Sequence, residues 1–213
     1  MESKQKFIDF MTDAGVLTFG DFTTKSGRKT PYFINTGNYK TGKHISILGD
    51  YYASRVMESG EQFDALFGPA YKGITLAAAS ASSLYRNYDI DVPYFFNRKE
   101  VKDHGEGGSL VGYKPKDKDR IIIIEDVVTA GTAVRESLKL LKAIADVTVI
   151  ALYVSVDRME RGTGERSTLE ELKEEFGINV YSIITVCDII ASLPQGDERI
   201  AKMEEYLAEF GGH

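Results

Sequence analysis

Two adjacent acidic residues, Glu125 and Asp126, follow four consecutive isoleucines in the sequence. The small-residue string Thr129-Ala130-Gly131-Thr132 comes next and leads into a helical pattern. Backbone N–H groups of such a turn, with a helix N-terminus behind them, suit a phosphate group. The two carboxylates suit sugar hydroxyls or a hydrated Mg²⁺ ion. The acid pair alone fits a plain polar turn capped by threonine, whereas the whole string of residues 121–133 favours a binding site.

Basic residues at two further places are candidates for binding an anion. Lys72 lies in the string Gly68-Pro69-Ala70-Tyr71-Lys72-Gly73, between a predicted strand and a predicted helix. The second place is a loop with three glycines and four basic residues: Arg98, Lys99, Lys102 and His104. Charged loop residues are often merely solvated, but the carboxyl end of a strand, where Lys72 is predicted to lie, is where open α/β sheets bind ligands. The ordinary pKa of a histidine is about 6.5, so a proton-transfer role for His104 stays open beside a binding role.

Length and composition indicate one globular domain. The chain has 213 residues, of which 43% are hydrophobic and 27% charged, as is usual for a folded domain. Its formal net charge of −6 argues against a general nucleic-acid binder, which needs surplus cations for phosphate contacts. The single cysteine, Cys187, excludes an intramolecular disulfide and fits a reducing compartment. The sequence has neither a membrane-length apolar stretch nor a signal-peptide core, so we expect a cytoplasmic protein without a membrane or nucleic-acid partner.

The hydrophobic pattern alternates between helix and strand along the chain. Helices are predicted around residues 7–14, 48–56, 74–88, 134–144, 168–176 and 197–210. Strands are predicted at residues 65–68, 92–97, 120–126, 147–156 and 180–184. This alternation predicts an α/β fold with a parallel sheet flanked by helices. We expect a single domain, with a core at about residues 45–156 and a small hood built from residues 1–44 and 157–195.

The string of residues 121–133 resembles the phosphoribosyl pyrophosphate signature of the type I phosphoribosyltransferases. Further strings resemble the bacterial orotate phosphoribosyltransferases within that family and occur in the family order: Lys25-Ser26-Gly27-Arg28, Pro31-Tyr32-Phe33-Ile34-Asn35, Gly68-Pro69-Ala70-Tyr71-Lys72-Gly73, Phe96-Asn97-Arg98-Lys99-Glu100, Lys102-Asp103-His104-Gly105-Glu106-Gly107 and Val154-Ser155-Val156-Asp157-Arg158. They cover about residues 7–190. The phosphoribosyl signature indicates only the superfamily, whereas the Lys-Asp-His-Gly-Glu-Gly and Tyr-Phe-Ile-Asn strings are much more specific.

The resemblance implies a reaction that transfers ribose 5-phosphate from phosphoribosyl pyrophosphate to N1 of orotate. It implies catalytic roles for Lys72, Lys102, His104 and Asp126. It implies phosphoribosyl pyrophosphate contacts from Lys25, Tyr71, Lys72, Arg98, Lys99, Lys102, His104, Glu125, Asp126, Val127, Val128, Thr129, Ala130, Gly131, Thr132 and Ala133. It implies an orotate site formed by Phe33, Ile34, Thr129 and Arg158. It further implies Mg²⁺ held mainly by the substrate, near Glu125 and Asp126, and a homodimer whose loops reach the neighbouring site.

Arg158 follows a predicted strand, and its guanidinium can bind the orotate carboxylate with two parallel hydrogen bonds. Phe33 alone fits ordinary core packing, and only the surrounding string favours a binding role. Two positions depart from the family pattern, namely Glu125, where many relatives have aspartate, and Ile34, where some have a second aromatic residue. Three alternatives stay open: a purine phosphoribosyltransferase, a regulator that binds DNA and senses phosphoribosyl pyrophosphate, and a non-catalytic nucleotide-binding domain.

Overall fold

The computed structural model describes residues 2–24, 27–99 and 109–212. The helices are α1 (Glu2–Asp13), α2 (Gly42–Ser59), α3 (Lys72–Tyr88), α4 (Thr132–Ile144), α5 (Thr168–Phe176), α6 (Val186–Ser192) and α7 (Glu198–Phe210), with a 3₁₀ turn at Thr36–Asn38. The strands are β1 (Leu17–Thr23), β2 (Lys29–Ile34), β3 (Ala65–Gly68), β4 (Tyr94–Asn97), β5 (Leu110–Gly112), β6 (Arg120–Ile124), β7 (Thr148–Asp157) and β8 (Asn179–Thr185). In the described ranges, no helix is long and apolar enough to cross a membrane.

The central sheet has the strand order β5-β4-β3-β6-β7-β8. Strands β4, β3, β6, β7 and β8 run parallel, and β5 pairs antiparallel with β4. The predicted α/β fold is therefore confirmed, and the predicted parallel sheet is corrected at one edge, where β5 is antiparallel. Because parallel strands place their carboxyl ends at one edge, the loops after β3, β4, β6 and β7 meet there.

The isoleucine run of β6 is buried on both faces of the sheet. Ile122 and Ile124 pack in the apolar cluster that includes residues of α2 and α3, while Ile121 and Ile123 pack in the cluster that includes residues of α4 and α5. All four side chains are completely buried. Alternate residues of a strand point to opposite faces, so each face of this strand needs its own apolar layer. β6 is thereby fixed from both sides, and the loop that follows it starts from a rigid base.

The chain ends pack near each other beside the sheet. β1 and β2 form a separate antiparallel pair, and α7 contacts β2 while α1 contacts α6. The hood boundaries stay a prediction. β8, which lies inside the predicted hood segment 157–195, pairs with β7 in the central sheet.

Several elements depart from the sequence prediction. The β1–β2 pair is absent from the prediction because Gly20 and a register shift between Phe19 and Phe22 interrupt the period-two pattern. The sequence predicts no strand between residues 97 and 120, where the structure has β5. α6 begins directly after β8, because Thr185 ends the strand and caps the helix.

Candidate functional site

The loop after β6 surrounds a cavity at the carboxyl edge of the sheet. The cavity has a volume of about 290 Å³ and is lined by residues 125–134. All nine residues of 125–133, which the resemblance assigns to phosphoribosyl pyrophosphate binding, lie on its wall. The structure thus brings the acid pair, the small-residue turn and the start of α4 around one concave space.

Gly131 lets the turn lead into α4. Its φ of +73° lies in the left-handed region, and it occupies the cap position before Thr132. A Cβ at this position would approach the Arg135 guanidinium to 2.7 Å. Arg135 in turn donates to the Ala130 carbonyl over 2.9 Å. Because glycine adopts this conformation without strain, the turn can present its backbone N–H groups and the N-terminus of α4 to the cavity.

Asp126, Lys72 and Thr36 form a closed triangle of hydrogen bonds. Lys72 Nζ donates to Asp126 Oδ2 over 2.8 Å and to Thr36 Oγ1 over 2.7 Å. Thr36 Oγ1 donates to the same carboxylate oxygen over 2.6 Å. The three residues come from the loop after β6, the start of α3 and the turn after β2. Although burial opposes ionisation, the hydrogen bonds from Lys72 and Thr36 keep the pKa of Asp126 below its ordinary value.

Glu125 lies next to Asp126 but in a different environment. It is only 9% exposed, and its carboxylate accepts a hydrogen bond from the Asp126 N–H over 2.9 Å. Burial raises the pKa of Glu125 to about 8, with the Asp126 charge adding to the effect. The pKa values of the two adjacent acids therefore shift in opposite directions: that of Asp126 is lowered by its hydrogen bonds, and that of Glu125 is raised by burial.

The backbone of the acid pair is anchored by neighbouring elements. Tyr52 of α2 donates its hydroxyl to the Glu125 carbonyl over 2.6 Å. Ser155 of β7 donates both its hydroxyl and its N–H to the Asp126 carbonyl, over 2.7 and 2.8 Å. With the backbone held from two sides, the Asp126 carboxylate has little freedom to move away from Lys72.

The loop after β3 brings Lys72 to this edge by close backbone packing. A Cβ on Gly68 would clash with the Gly73 carbonyl oxygen, and one on Gly73 would lie 2.7 Å from the Pro69 ring. The Asn97 side chain, at the end of β4, accepts a hydrogen bond from the Ala70 N–H over 2.9 Å. These contacts turn the chain sharply, so that α3 begins at Lys72 beside Asp126.

A second charged group surrounds Arg158 after β7. Its guanidinium lies 5.0 Å from the centroid of the Tyr32 ring and donates to Glu160. The Arg158 side chain is only 11% exposed. Tyr32 contacts Arg158, and Thr36, four residues later, contacts Asp126. The intervening residues of β2 therefore lie between the two charged groups.

The comparisons with known proteins identify the family. The model of the phosphoribosyl transferase domain matches residues 35–186. An orotate phosphoribosyltransferase of Clostridium beijerinckii is 49% identical over 218 residues, covering 98% of this chain and 97% of the relative. The chain belongs to the orotate phosphoribosyltransferase family. A second member, from Salmonella newport, is 48% identical over 211 residues and 98% of both chains.

Solved structures agree with this assignment. The crystal structure of the family member from Francisella tularensis has a TM-score of 0.88 at 37% identity, over 97% of this chain and all of that one. An adenine phosphoribosyltransferase of Thermoanaerobacter pseudethanolicus also matches, with a TM-score of 0.53 at 15% identity, over 85% of this chain and 99% of that one. At 15% identity this match shows the fold alone, so the fold by itself does not indicate which base an enzyme of this fold uses.

The remaining residues expected of an orotate phosphoribosyltransferase lie around this edge or outside the described ranges. Phe33 is 42% exposed and packs on Phe22, with ring centroids 5.6 Å apart. Ile34 is half-buried at the end of β2, and Thr129 is exposed on the cavity wall. Tyr71 is 67% exposed. Three further residues to which the resemblance assigns substrate contacts lie outside the described ranges: Lys25, Lys102 and His104.

Arg98 and Lys99, at the base of the loop after β4, lie within the described ranges. The Arg98 N–H donates to the Ser109 carbonyl over 2.7 Å. The ammonium of Lys99 lies 4.7 Å from the centroid of the Tyr71 ring. Tyr71 and Lys99, which the resemblance assigns to the same ligand, therefore lie side by side.

Several residues that hold the site together were not among the sequence candidates, including Thr36, Ser155 and Glu160. Thr36 follows the Tyr-Phe-Ile-Asn string directly, and Glu160 follows Arg158 by two positions. Residue type alone does not indicate a functional role for Thr36 or Glu160, because threonines and glutamates in loops are most often solvated. Only the tertiary contacts give them partners at the site.

The raised pKa of Glu125 leads to a prediction about the pH dependence of stability. The unfolded chain releases this proton near pH 4.5, whereas the folded protein retains it until about pH 8. The folded state thus binds more protons between these values, so this group lowers the stability as the pH rises through that window. The free energy of unfolding of Glu125→Gln minus that of wild type should therefore be larger at pH 8 than at pH 5, by about 1–3 kcal/mol.

Urea unfolding of both proteins at several pH values measures this difference. Glu136→Gln, which removes an exposed carboxylate from α4, is the control and should show a difference that stays nearly constant with pH. A constant difference for Glu125→Gln as well would mean that Glu125 is ionised in the folded protein at pH 5.

Proposed function

We infer that this chain transfers ribose 5-phosphate from 5-phosphoribosyl 1-pyrophosphate to N1 of orotate, giving orotidine 5′-phosphate and pyrophosphate. The observation that carries this inference is 49% identity to a named orotate phosphoribosyltransferase over 98% of the chain. The charged groups at the carboxyl edge support it. This reaction is a step of pyrimidine nucleotide synthesis.

The loop after β6 is proposed to hold the phosphoribosyl group. Its turn offers backbone N–H groups to the 5-phosphate, and the N-terminus of α4 adds the favourable end of the helix dipole. Asp126 is the ionised acid of the pair and accepts hydrogen bonds from the ribose hydroxyls. Glu125, whose pKa is raised by burial, keeps its proton to a higher pH than Asp126 and in that form offers a hydrogen bond rather than a charge. Lys72 and Tyr71 bind the pyrophosphate from the loop after β3.

The leaving pyrophosphate carries several negative charges, so its departure needs positive charge nearby. Lys72 supplies one cation, and the resemblance adds Arg98, Lys99, Lys102 and His104 from the loop after β4. Proton transfer by His104 stays open. When that loop covers the site, the same residues exclude water from the reacting carbon.

The donor set fits Mg²⁺ bound mainly through the substrate. Within residues 2–24, 27–99 and 109–212, no group of three or more His, Cys, Asp or Glu side chains is placed so that it could hold a metal ion by itself. Magnesium commonly binds through one or two carboxylates together with substrate phosphates. Asp126 would hold it, with Glu125 nearby, and the ion would supply charge neutralisation of the pyrophosphate.

Arg158 is proposed to bind the orotate carboxylate, and Phe33, Ile34 and Thr129 to line the slot for the flat ring. Their positions support this, because β2 passes between the Arg158 group and the Asp126 group. The base would then lie next to the ribose carbon that it attacks. Arg158, buried and hydrogen-bonded, has the properties of a carboxylate-binding residue.

The remaining proposals concern assembly and location. We propose a homodimer in which the loop after β4 reaches the partner's site, since one small domain has little surface with which to enclose a charged sugar diphosphate. A cytoplasmic location is proposed as well. The single cysteine Cys187 supports it, because it fits a reducing compartment.

A spectrophotometric assay of orotate consumption tests the proposed reaction. With phosphoribosyl pyrophosphate and Mg²⁺, orotate should be consumed and pyrophosphate released, while adenine and hypoxanthine should give no comparable turnover. Turnover of a purine base instead of orotate would establish the purine alternative. Binding of the substrates without pyrophosphate release would support a non-catalytic domain.

The shared-site proposal predicts complementation between two inactive variants. Lys102→Ala and Asp126→Asn change residues that different subunits give to one site, so each homodimer should be nearly inactive. After subunit exchange, half of the dimers are hybrids, each with one intact site. Activity should recover to about a quarter of wild type, by the statistics of a two-fold symmetric dimer.

The control is each variant taken alone through the same exchange procedure, which should recover nothing. Absence of recovery in the mixture, with hybrid dimers shown by mass spectrometry, would place the loop over its own subunit's site. A monomer in sedimentation at assay concentration would contradict the proposal directly.

A further inference from the structure

A buried group of charged and aromatic residues converges on Glu160. Its carboxylate oxygen Oε1 accepts hydrogen bonds from Arg158 Nε over 2.9 Å, from Arg158 Nη2 over 2.5 Å and from the Tyr206 hydroxyl over 2.8 Å. The Tyr32 hydroxyl lies 3.4 Å from the same oxygen, and Arg28 Nη1 lies 3.4 Å from the other oxygen, Oε2. A single carboxylate thus joins residues from three distant parts of the chain.

Helix α7 is built into this group. The Phe210 ring lies under the Arg28 guanidinium, with 4.5 Å between the guanidinium carbon and the ring centroid. After α7, Gly211 forms an isolated antiparallel bridge with Glu160, and the Gly212 N–H donates to the Met159 carbonyl over 2.9 Å. The end of α7 is therefore fastened by its backbone to the segment that carries Glu160.

The charges of the group do not cancel. Two guanidinium groups, those of Arg28 and Arg158, face one carboxylate, that of Glu160, which leaves one positive charge in excess. The side chains of Arg158, Glu160 and Arg28 are 11%, 19% and 31% exposed, so water compensates this excess only in part. Burial raises the pKa of Tyr32 and of Tyr206 above the ordinary value, so both hydroxyls stay neutral donors. The group therefore favours an anion.

The hydrogen bonds also fix which side of Arg158 faces that anion. Glu160 occupies the edge formed by Nε and one Nη2 hydrogen. Within the described part of the chain, Nη1 has no protein acceptor. The free edge formed by Nη1 and the second Nη2 hydrogen matches a carboxylate in a two-bond arrangement, and the planar guanidinium cannot rotate away while Glu160 holds the other edge.

We propose that Glu160 is a positioning residue that orients Arg158 toward the carboxylate of orotate, and that Tyr206 of α7 holds Glu160 in place. The proposal rests on the proposed function, in which Arg158 binds orotate. It adds that the affinity for orotate is set by residues that do not touch the base, including one on α7.

The test compares Glu160→Ala, Glu160→Gln and Tyr206→Phe with wild type, by steady-state kinetics for each substrate. Removal of a charged partner leaves Arg158 free to adopt other orientations, so Glu160→Ala should raise the KM for orotate by about tenfold or more. Glutamine keeps an acceptor oxygen and should restore part of the loss. The KM for phosphoribosyl pyrophosphate should stay within about twofold of wild type in all three variants, because Glu160 has no contact with the loop after β6 in the hydrogen bonds described.

Matched controls come from a similar group away from the site. Glu61 accepts hydrogen bonds from Tyr181 over 2.7 Å and from Asn179 over 2.7 Å. Glu61→Gln and Tyr181→Phe thus remove a comparable carboxylate charge and a comparable tyrosine hydroxyl. They should leave the KM for orotate unchanged.

The outcomes separate the two proposals. If wild type does not consume orotate, the proposed function fails, and this inference fails with it. If wild type is active and the Glu160 variants leave the KM for orotate unchanged, or weaken both substrates equally, only the positioning role is overturned. If Glu160→Ala does not fold, as judged by circular dichroism, Glu160→Gln and Tyr206→Phe still decide the question. The proposal requires both variants to raise the KM for orotate while the KM for phosphoribosyl pyrophosphate stays near the wild-type value.

Discussion

Asp126→Asn is expected to lower kcat about a hundredfold or more, the usual effect of losing one electrostatic partner of a transition state, while the protein stays folded. Asparagine has the shape of aspartate and still accepts the hydrogen bond from Thr36, but it lacks the charge that pairs with Lys72. The change therefore removes an electrostatic interaction from the site without opening a cavity.

The stability should change little, because the lost ion pair is partly exposed. The Lys72 side chain is 58% exposed, so water can solvate its ammonium when Asp126 is neutral. Ion pairs of this kind contribute about 0–1 kcal/mol. In a protein of this size, that shifts the melting temperature by no more than about 4 °C.

The matched control lies at the opposite edge of the sheet. Asp64, just before β3, accepts two hydrogen bonds from the Arg120 side chain, over 2.9 and 3.0 Å. Asp64→Asn weakens an ion pair of similar geometry at the amino ends of the strands and should leave kcat near the wild-type value. If Asp126→Asn instead lowers activity only in proportion to a large fall in melting temperature, Asp126 has a structural role and not a catalytic one.

The part of the site that could be predicted from sequence is the part that is continuous in the chain. Residues 121–133 contain the buried strand, the acid pair, the turn and the start of α4 in the predicted order, although the strand ends at Ile124 and α4 begins at Thr132, each two residues earlier than predicted. Alternation of Ile121 to Ile124 between two apolar clusters explains why a run of isoleucines is a strand with two covered faces.

The partners that tertiary structure adds could not be predicted in the same way. Thr36 lies 90 residues from Asp126, and Tyr206 lies 46 residues from Glu160. No local pattern links such pairs, because their contact depends on the path of β2 and α7 around the sheet. The difference in pKa between Glu125 and Asp126 has the same origin: the two acids are neighbours in sequence, but only Asp126 meets Lys72 and Thr36.

A comparable limit explains the missed hairpin. β1 has Gly20 in its interior, and its pairing with β2 shifts register between Phe19 and Phe22. The period-two alternation that marks a strand is therefore broken in the middle of β1. The contacts of β2 with α7 and of Tyr32 with Arg158 give this short pair its place.

The second large effect is expected at the orotate end of the site. Arg158→Ala should raise the KM for orotate by about two orders of magnitude, since loss of one partner of a buried, hydrogen-bonded charge pair costs about 2–5 kcal/mol. The KM for phosphoribosyl pyrophosphate should change far less, because Arg158 lies with Tyr32 and Glu160 and not with the loop after β6.

Two further variants separate charge from geometry. Arg158→Lys keeps the positive charge but lacks the planar pair of donors, so it should recover only part of the affinity for orotate. Arg199→Ala is the matched control, because Arg199 also packs over an aromatic ring, Phe19, and also pairs with a carboxylate, Asp197, but lies on α7 at the surface. It should leave both KM values unchanged.

A base that lacks the carboxylate provides the decisive comparison. If Arg158 binds the carboxylate, wild type should strongly prefer orotate to uracil, and Arg158→Ala should lose most of that preference by losing activity on orotate alone. Equal losses on both bases, or equal rises in the KM of orotate and of phosphoribosyl pyrophosphate, would contradict the assignment. Such a result would mean that Arg158 acts through the packing of Tyr32 and Glu160, and the carboxylate would then need another cation.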